Sequence, residues 1–248
     1  MVIEKLIFYI MRKFILLLLL TIPSLALAID LEDYYITPKG GVSKTFNTGD
    51  VFFHNRSAWY PFQNNQLGTG LALGVSVGKY LNDNFRLELE ATQRTGYKFQ
   101  AAMTKSVALS IYSERAKIKT HALFINGFYD FQPFSINNTP ITPYLGGGVG
   151  LSRNKMEMEE YKNGLSNTGL FFDSQDPYEF AYKLSAGTLF SLTEQLSLDV
   201  NYQYVNLGEF KSGVELTRGE VVVRQFDVGM SGGEIRAQEL TFGLQYKF

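Results

Sequence analysis

The sequence predicts an all-β chain: an eight-stranded antiparallel up-and-down transmembrane β-barrel, with short turns at one end and four long loops at the other. Three observations carry that expectation. Apolar and polar residues alternate with period two in one segment after another. The connections between those segments alternate between short and long. Beyond residue 28 no run of about 18 uninterrupted apolar residues offers a spanning helix. Composition agrees with a folded apolar chain: of 248 residues, 45% are hydrophobic and 15% aromatic, too many for disorder. A formal net charge of −1 leaves no broad basic field for nucleic acid. The chain has no cysteine, which removes disulfide scaffolds, zinc–thiolate sites, iron–sulfur clusters and thiol nucleophiles together.

The first element is an address. Arg12 and Lys13 precede Phe14–Ala28, FILLLLLTIPSLALA, a basic region, an apolar run and a small-x-small ending. That pattern predicts a secretory signal peptide over residues 1–28, cleaved after Ala28, leaving a barrel domain over 29–248. Met11 is a second possible start. A transmembrane anchor is the weaker reading, because the run is short and Pro23 interrupts it. Removal of Glu4, Lys5, Arg12 and Lys13 makes the mature chain mildly acidic, at −3.

The strands follow in order. Tyr34–Thr45 is the first, with unclear parity. Within Leu67–Leu81, Leu71, Leu73, Val75 and Val77 oppose Ala72, Gly74, Ser76 and Gly78. From Phe85, Leu87 and Leu89 oppose Arg86, Glu88 and Glu90. Ile118–Phe131 again has unclear parity. Ile141–Arg153 sets Leu145, Val149 and Leu151 against Tyr144, Gly146, Gly148 and Gly150. From Phe180, Tyr182 and Leu184 oppose Ala181, Lys183 and Ser185. From Leu196, Leu198 and Val200 oppose Asp199 and Asn201. Leu240–Phe248 closes the series.

Compact connections fall at Asn82–Asn84, Gln132–Pro140 and Thr193–Gln195; long polar ones at Phe46–Gln66, Phe99–Lys117, Asn154–Tyr178 and Lys211–Glu234. A soluble sandwich has no reason for this asymmetry. A membrane barrel turns its oily face to lipid and pairs short periplasmic turns with long outer loops. It must also close, since no open sheet edge survives in hydrocarbon.

On this parity the inner face carries Arg86, Glu88, Glu90, Arg94, Lys183, Asp199, Glu239 and Lys247, four basic and four acidic residues. Eight strands enclose a space that side chains just fill, so these charges are expected to pair. The alternatives are a salt-bridged plug, favoured by the neutral balance, and a charge-lined narrow channel. Inward glycines at 74, 78, 146, 148, 150 and 187 leave room for long side chains or for a thin file of water. Glu88 and Glu90 stand about 7 Å apart, a spacing that could suit acid–base work on a sugar. Buried midway, they would have no route for substrate, and basic partners are the expectation. Phe85, Tyr129, Phe131, Phe190, Tyr202, Tyr204, Tyr246 and Phe248 read as interfacial girdles.

The N-terminal signal, the eight strands, the segment Pro143-Tyr144-Leu145-Gly146-Gly147-Gly148-Val149-Gly150 and the ending Tyr246-Lys247-Phe248 resemble the small OmpA-like and opacity-type surface proteins of Gram-negative bacteria. The resemblance implies residence in the cell outer membrane. It also implies that Leu240, Phe242, Leu244, Tyr246 and Phe248 form the signal that the outer-membrane assembly machinery reads. Some relatives add a peptidoglycan-binding domain after the barrel; the chain ends at Phe248, so that role is not expected. Members of this superfamily serve as adhesins, immune-evasion antigens, membrane stabilisers and narrow pores. The partners implied are outer-membrane lipid, the assembly machinery and host surface or serum proteins.

Binding residues concentrate on loops held by a rigid scaffold. Trp59, Tyr60, Phe62, Phe171 and Phe172 in the first and third long loops are the candidate contact residues. Val221–Val223 in the fourth suggest a hairpin above the membrane, with an edge that a partner strand could join. His54 and His121 lack the serine and carboxylate neighbours of a hydrolase, so no enzyme activity is expected. No catalytic residue, cofactor site or metal site is assigned, the third-loop acids lacking convincing ligand spacing. A loop-borne adhesin is the leading reading; a narrow pore or a purely structural envelope protein is the alternative.

Overall fold

The computed structural model describes residues 31–46, 52–55, 58–61, 63–104, 111–137, 139–163, 166–174, 176–218, 221–225, 230–231 and 233–248. Eight strands form the barrel: β1 (Tyr34–Thr45), β2 (Thr69–Tyr80), β3 (Phe85–Thr104), β4 (Ile111–Asp130), β5 (Thr139–Asn163), β6 (Tyr178–Ser191), β7 (Leu196–Phe210) and β8 (Gly233–Lys247). Each pairs antiparallel with the next in sequence, and β8 returns to pair with β1, from Tyr35 opposite Lys247 to Thr45 opposite Ala237. The sheet is therefore closed, and the eight-stranded up-and-down barrel is present as expected. The signal peptide and Ala28 lie outside the described residues.

Side chains build two of the tight turns. The Asn82 Oδ1 accepts from the backbone N–H groups of Asn84 and Phe85, both at 2.9 Å. Thr193 Oγ1 accepts from those of Gln195 and Leu196 at 3.3 and 3.0 Å. Short polar side chains do this because they mimic the missing backbone acceptor. In the third connection, Phe134–Ile136 folds back against Thr139–Ile141.

The opposite end differs from a set of plain loops. β3 and β4 run 20 residues each and β5 runs 25, well past the 9–11 or so that a tilted strand needs to cross. Most of the segment 99–117, expected as a loop, is strand, and so is much of 154–178. The physical reason is that the inner face stays apolar there: Phe99, Ala116, Ile118 and Met156 are all buried. Polar composition marks the outer face of those strands, not a lack of structure. Further strands lie beyond. Phe52–Asn55 pairs with Ala58–Pro61 and with Met230–Ser231, and Ser212–Arg218 with both Ser166–Ser174 and Val221–Gln225.

Three register shifts interrupt the barrel ladders, one of them between Arg115 and Ala116 where β4 meets β5, and two are built on glycine. The ladder of β3 on β4 shifts between Arg94 and Tyr97, and that of β7 on β8 between Asn206 and Glu209. Gly96 and Gly208 occupy these places with φ of 94° and 72°, a left-handed backbone that glycine adopts without a steric cost.

Candidate functional site: a filled interior and its outer rim

The inner face is stacked in layers. Nearest the turns, Arg86 donates from Nε to both carboxylate oxygens of Asp130, at 3.0 and 3.1 Å. Its guanidinium lies over the rings of Phe128 and Tyr144, 4.3 and 4.6 Å from their centres. The Tyr144 hydroxyl in turn donates to Asp199 at 2.7 Å. Glycines make this layer possible: a Cβ at Gly78, Gly146 or Gly187 would collide with the ring of Tyr35, Phe128 or Tyr144, respectively.

In the middle layer Lys39 Nζ bridges Glu88 at 3.1 Å and Glu90 at 2.7 Å. Lys183 donates to both oxygens of Glu90 at 2.8 Å, and Asn126 donates to Glu88 at 3.1 Å. Above it, Arg94 grips Glu239 through Nε at 2.6 Å and Nη2 at 3.0 Å. Ser43 and Gln203 also donate to that carboxylate, at 2.7 and 2.5 Å. Charges buried this deeply are costly unless they are paired and hydrogen-bonded. Glu88 and Glu90 therefore have the basic partners expected of them.

Seven of the eight sequence-assigned charges, Arg86, Glu88, Glu90, Arg94, Lys183, Asp199 and Glu239, are buried inside. Lys247 is the correction. It has inward parity but stands at the mouth, 3.2 Å from Asp33, with both side chains more than 40% exposed. Two members were missed: Lys39 and Asp130. Both lie on strands where alternation gave no clear face, in the run Pro38-Lys39-Gly40-Gly41 and at the end of β4.

A layer absent from the sequence reading caps these. Leu67, Tyr97, Phe99, Ile118, Met156, Val205, Leu207, Phe210 and Ile235 form one buried apolar cluster beyond Arg94. Ring contact between Phe99 and Phe210, 5.6 Å apart, crosses the barrel. Ionic layers below and an apolar layer above thus occupy the barrel interior among the described residues.

Outside, the faces reverse. The row Ala91–Leu123–Leu151–Phe180, paired strand to strand, is oily, and its three large members are more than half exposed. Phe85, Tyr129 and Phe131 pack edge to face, with ring centres 5.0 and 5.1 Å apart, near the turns; Phe46, Tyr182 and Tyr204 gather toward the other end. Leu240, Phe242, Leu244 and Tyr246 point outward along β8, between 40% and 51% exposed.

Of the loop candidates, Trp59 and Tyr60 are paired by backbone with His54 and Phe53, and Phe171 and Phe172 with Thr217 and Leu216. Phe62 and the side chains of the other four lie outside the described residues. The expected hairpin at Val221–Val223 is present as Ser212–Arg218 against Val221–Gln225. His121 stands on the outer face between Gln93 and Arg153. Among the described residues no group of three or more His, Asp or Glu could hold a metal ion.

The outer membrane protein beta-barrel domain model matches residues 14–248. “Outer membrane protein PagN” of Salmonella typhimurium is 27% identical over 195 residues, 72% of this chain and 76% of the relative. “Putative adhesin RC1281” of Rickettsia conorii is 24% identical over 227 residues, 90% of this chain and 85% of that one. Among solved structures, the outer membrane protein OprG from Pseudomonas aeruginosa superposes with a TM-score of 0.51 at 16% identity. The superposition covers 88% of this chain and 97% of that one, a likeness of fold alone.

Proposed function

The chain belongs to the outer membrane protein beta-barrel family and resides in the bacterial outer membrane, and from that premise we propose that it is a non-enzymatic surface adhesin. Its barrel anchors it in lipid, and its outer loop strands contact host surface or serum proteins. The observation that carries this reading is the filled interior. Ionic layers and an apolar cluster in the lumen argue against solute passage and favour a task for the chain outside it. The long continuation of β3, β4 and β5 past the membrane, with further strands joined to them, supports the same division of labour. The Salmonella typhimurium and Rickettsia conorii relatives, one named “Outer membrane protein PagN” and the other “Putative adhesin RC1281”, agree with it.

Within this reading residues 1–28 direct export and are removed after Ala28, and Leu240, Phe242, Leu244, Tyr246 and Phe248 are read by the assembly machinery. Trp59, Tyr60, Phe62, Phe171 and Phe172 supply aromatic contact surface.

The test is adhesion by a non-adherent bacterium displaying either the intact chain or a chain lacking segments 52–61 and 166–174. Binding to cultured host cells that drops to background with the deletions supports the proposal. Equal binding by both, with the two proteins folded alike by heat-dependent gel mobility, would remove it.

A further inference from the structure

One wall of the barrel carries a charge pattern that neither anchoring nor adhesion uses. Immediately beyond the oily row Ala91–Leu123–Leu151–Phe180, the next outward row is polar: Gln93, His121, Arg153 and Tyr178, paired strand to strand across β3, β4, β5 and β6. The next pair outward is Lys119 opposite Lys155, and beyond it Lys98 opposite Lys117. Each two-residue step advances about 6.6 Å along the strand, and neighbouring strands lie about 4.8 Å apart. Five cations therefore share one patch, and three of them, Lys119, Arg153 and Lys155, are paired with the carboxylates Glu157 and Asp176. Glu157 is held between Lys119 and Lys155 at 3.2 and 3.1 Å, and Asp176 is paired with Arg153. The side chains of Lys119, Arg153 and Lys155 remain 42–49% exposed.

Across β7, β8 and β1, among the described residues, the outer cations Lys44, Lys211 and Arg236 are matched in number by carboxylates. There Arg236 lies 3.5 Å from Glu234, and Lys211 lies 3.5 Å from Glu179 and 3.3 Å from Glu209. Below the basic patch, and continuous with it, a groove opens on the lipid side between Leu73, Val75, Leu123 and Leu151, closed at its outer end by His121 and Arg153. An occupant that meets both surfaces must be oily along most of its length and anionic at one end, with the anion at the level where the apolar belt stops.

We infer that this wall binds a phosphorylated lipid of the outer leaflet, its phosphates on Lys119, Arg153 and Lys155 and its acyl chains along the groove. A soluble polyanion would use the cations but has no use for the groove; an uncharged lipid would use only the groove. The inference rests on residence in the outer membrane and is independent of the loop-borne adhesion proposed above.

The experiment titrates the refolded full chain in detergent with fluorescent bis-phosphorylated lipid A, read by anisotropy, against the same lipid with both phosphates removed. The wild-type chain is expected to bind the phosphorylated form on the order of 100-fold more tightly, as three surface cations near an anionic headgroup imply. Lys119→Gln/Arg153→Gln/Lys155→Gln should lose the same factor. Lys44→Gln/Lys211→Gln/Arg236→Gln on the other wall should lose less than about twofold. A chain lacking segments 52–61 and 166–174 should bind as wild type, which separates this site from the adhesive one. Equal affinity of the wild-type chain for the two lipids overturns the inference without recourse to any variant. So does unchanged binding by the first triple variant, or tighter binding of a heparin fragment than of the lipid.

Discussion

Within the single strand β4 two regions obey opposite rules. Near the membrane Ile125 faces outward at 63% exposure while Asn126, beside it, is fully buried in the lumen. Farther along, Lys117 and Lys119 face outward while Ala116 and Ile118 are buried. The period-two pleat continues; the assignment of oily and polar residues to its two faces is inverted. What changes between the regions is the solvent. Lipid outside demands an oily outer face and leaves polar side chains to the lumen, whereas water outside permits the reverse. The barrel is thus a membrane protein below and a water-soluble β-barrel above, joined end to end without a break in the strands.

The difference is sharpest at the last ionic layer. Arg94→Leu leaves Glu239 buried with no cation, and should cost about 3–5 kcal/mol of stability. Urea titration of the folded chain in vesicles reads this, and Arg94→Leu/Glu239→Leu should recover most of the loss. A single variant as stable as wild type would mean that water enters the lumen and the two regions are less distinct than drawn. In the upper region Ile118→Ala should cost about 2–3 kcal/mol by the ordinary cavity rule. Raised salt should leave that loss unchanged, because no charge is involved.

The smallest effect belongs to the outer surface above the membrane. Burial pushes the Glu157 carboxyl up, but hydrogen bonds from Lys155 and Lys119 outweigh it and hold the group below its ordinary value. A depressed folded value means that the stabilisation is present above the unfolded pKa and is lost as pH falls through the folded one. Glu157→Gln should therefore differ from wild type at neutral pH, by no more than about 0.5 kcal/mol, and converge with it in acid. Salt should erase this difference while sparing the Arg94–Glu239 pair.

Most of the barrel was legible because alternation is a direct consequence of strand geometry. Arg86, Glu88, Glu90, Lys183, Asp199 and Glu239 fell on the inner face by counting alone. The apolar cap was not legible, for two reasons. Its outer partners are charged, so the segments read as loops. The bulge at Gly96 also shifts the count: continued from Arg94 by twos, the inner face would take Lys98, whereas the structure turns Tyr97 and Phe99 inward. Lys39 escaped because the glycines beside it carry no side chain from which to count. Lys247 was misplaced because parity fixes a face but not a depth.

The seam between β1 and β8 sets the timing of folding. Tyr35 finds its partner in Lys247, at the other end of the described chain, so the first strand keeps an unpaired edge until the eighth has been delivered. Contacts this distant in sequence make for slow, late closure, and an open edge in the interval invites pairing with other chains. No part of the cylinder is complete before the whole of it is.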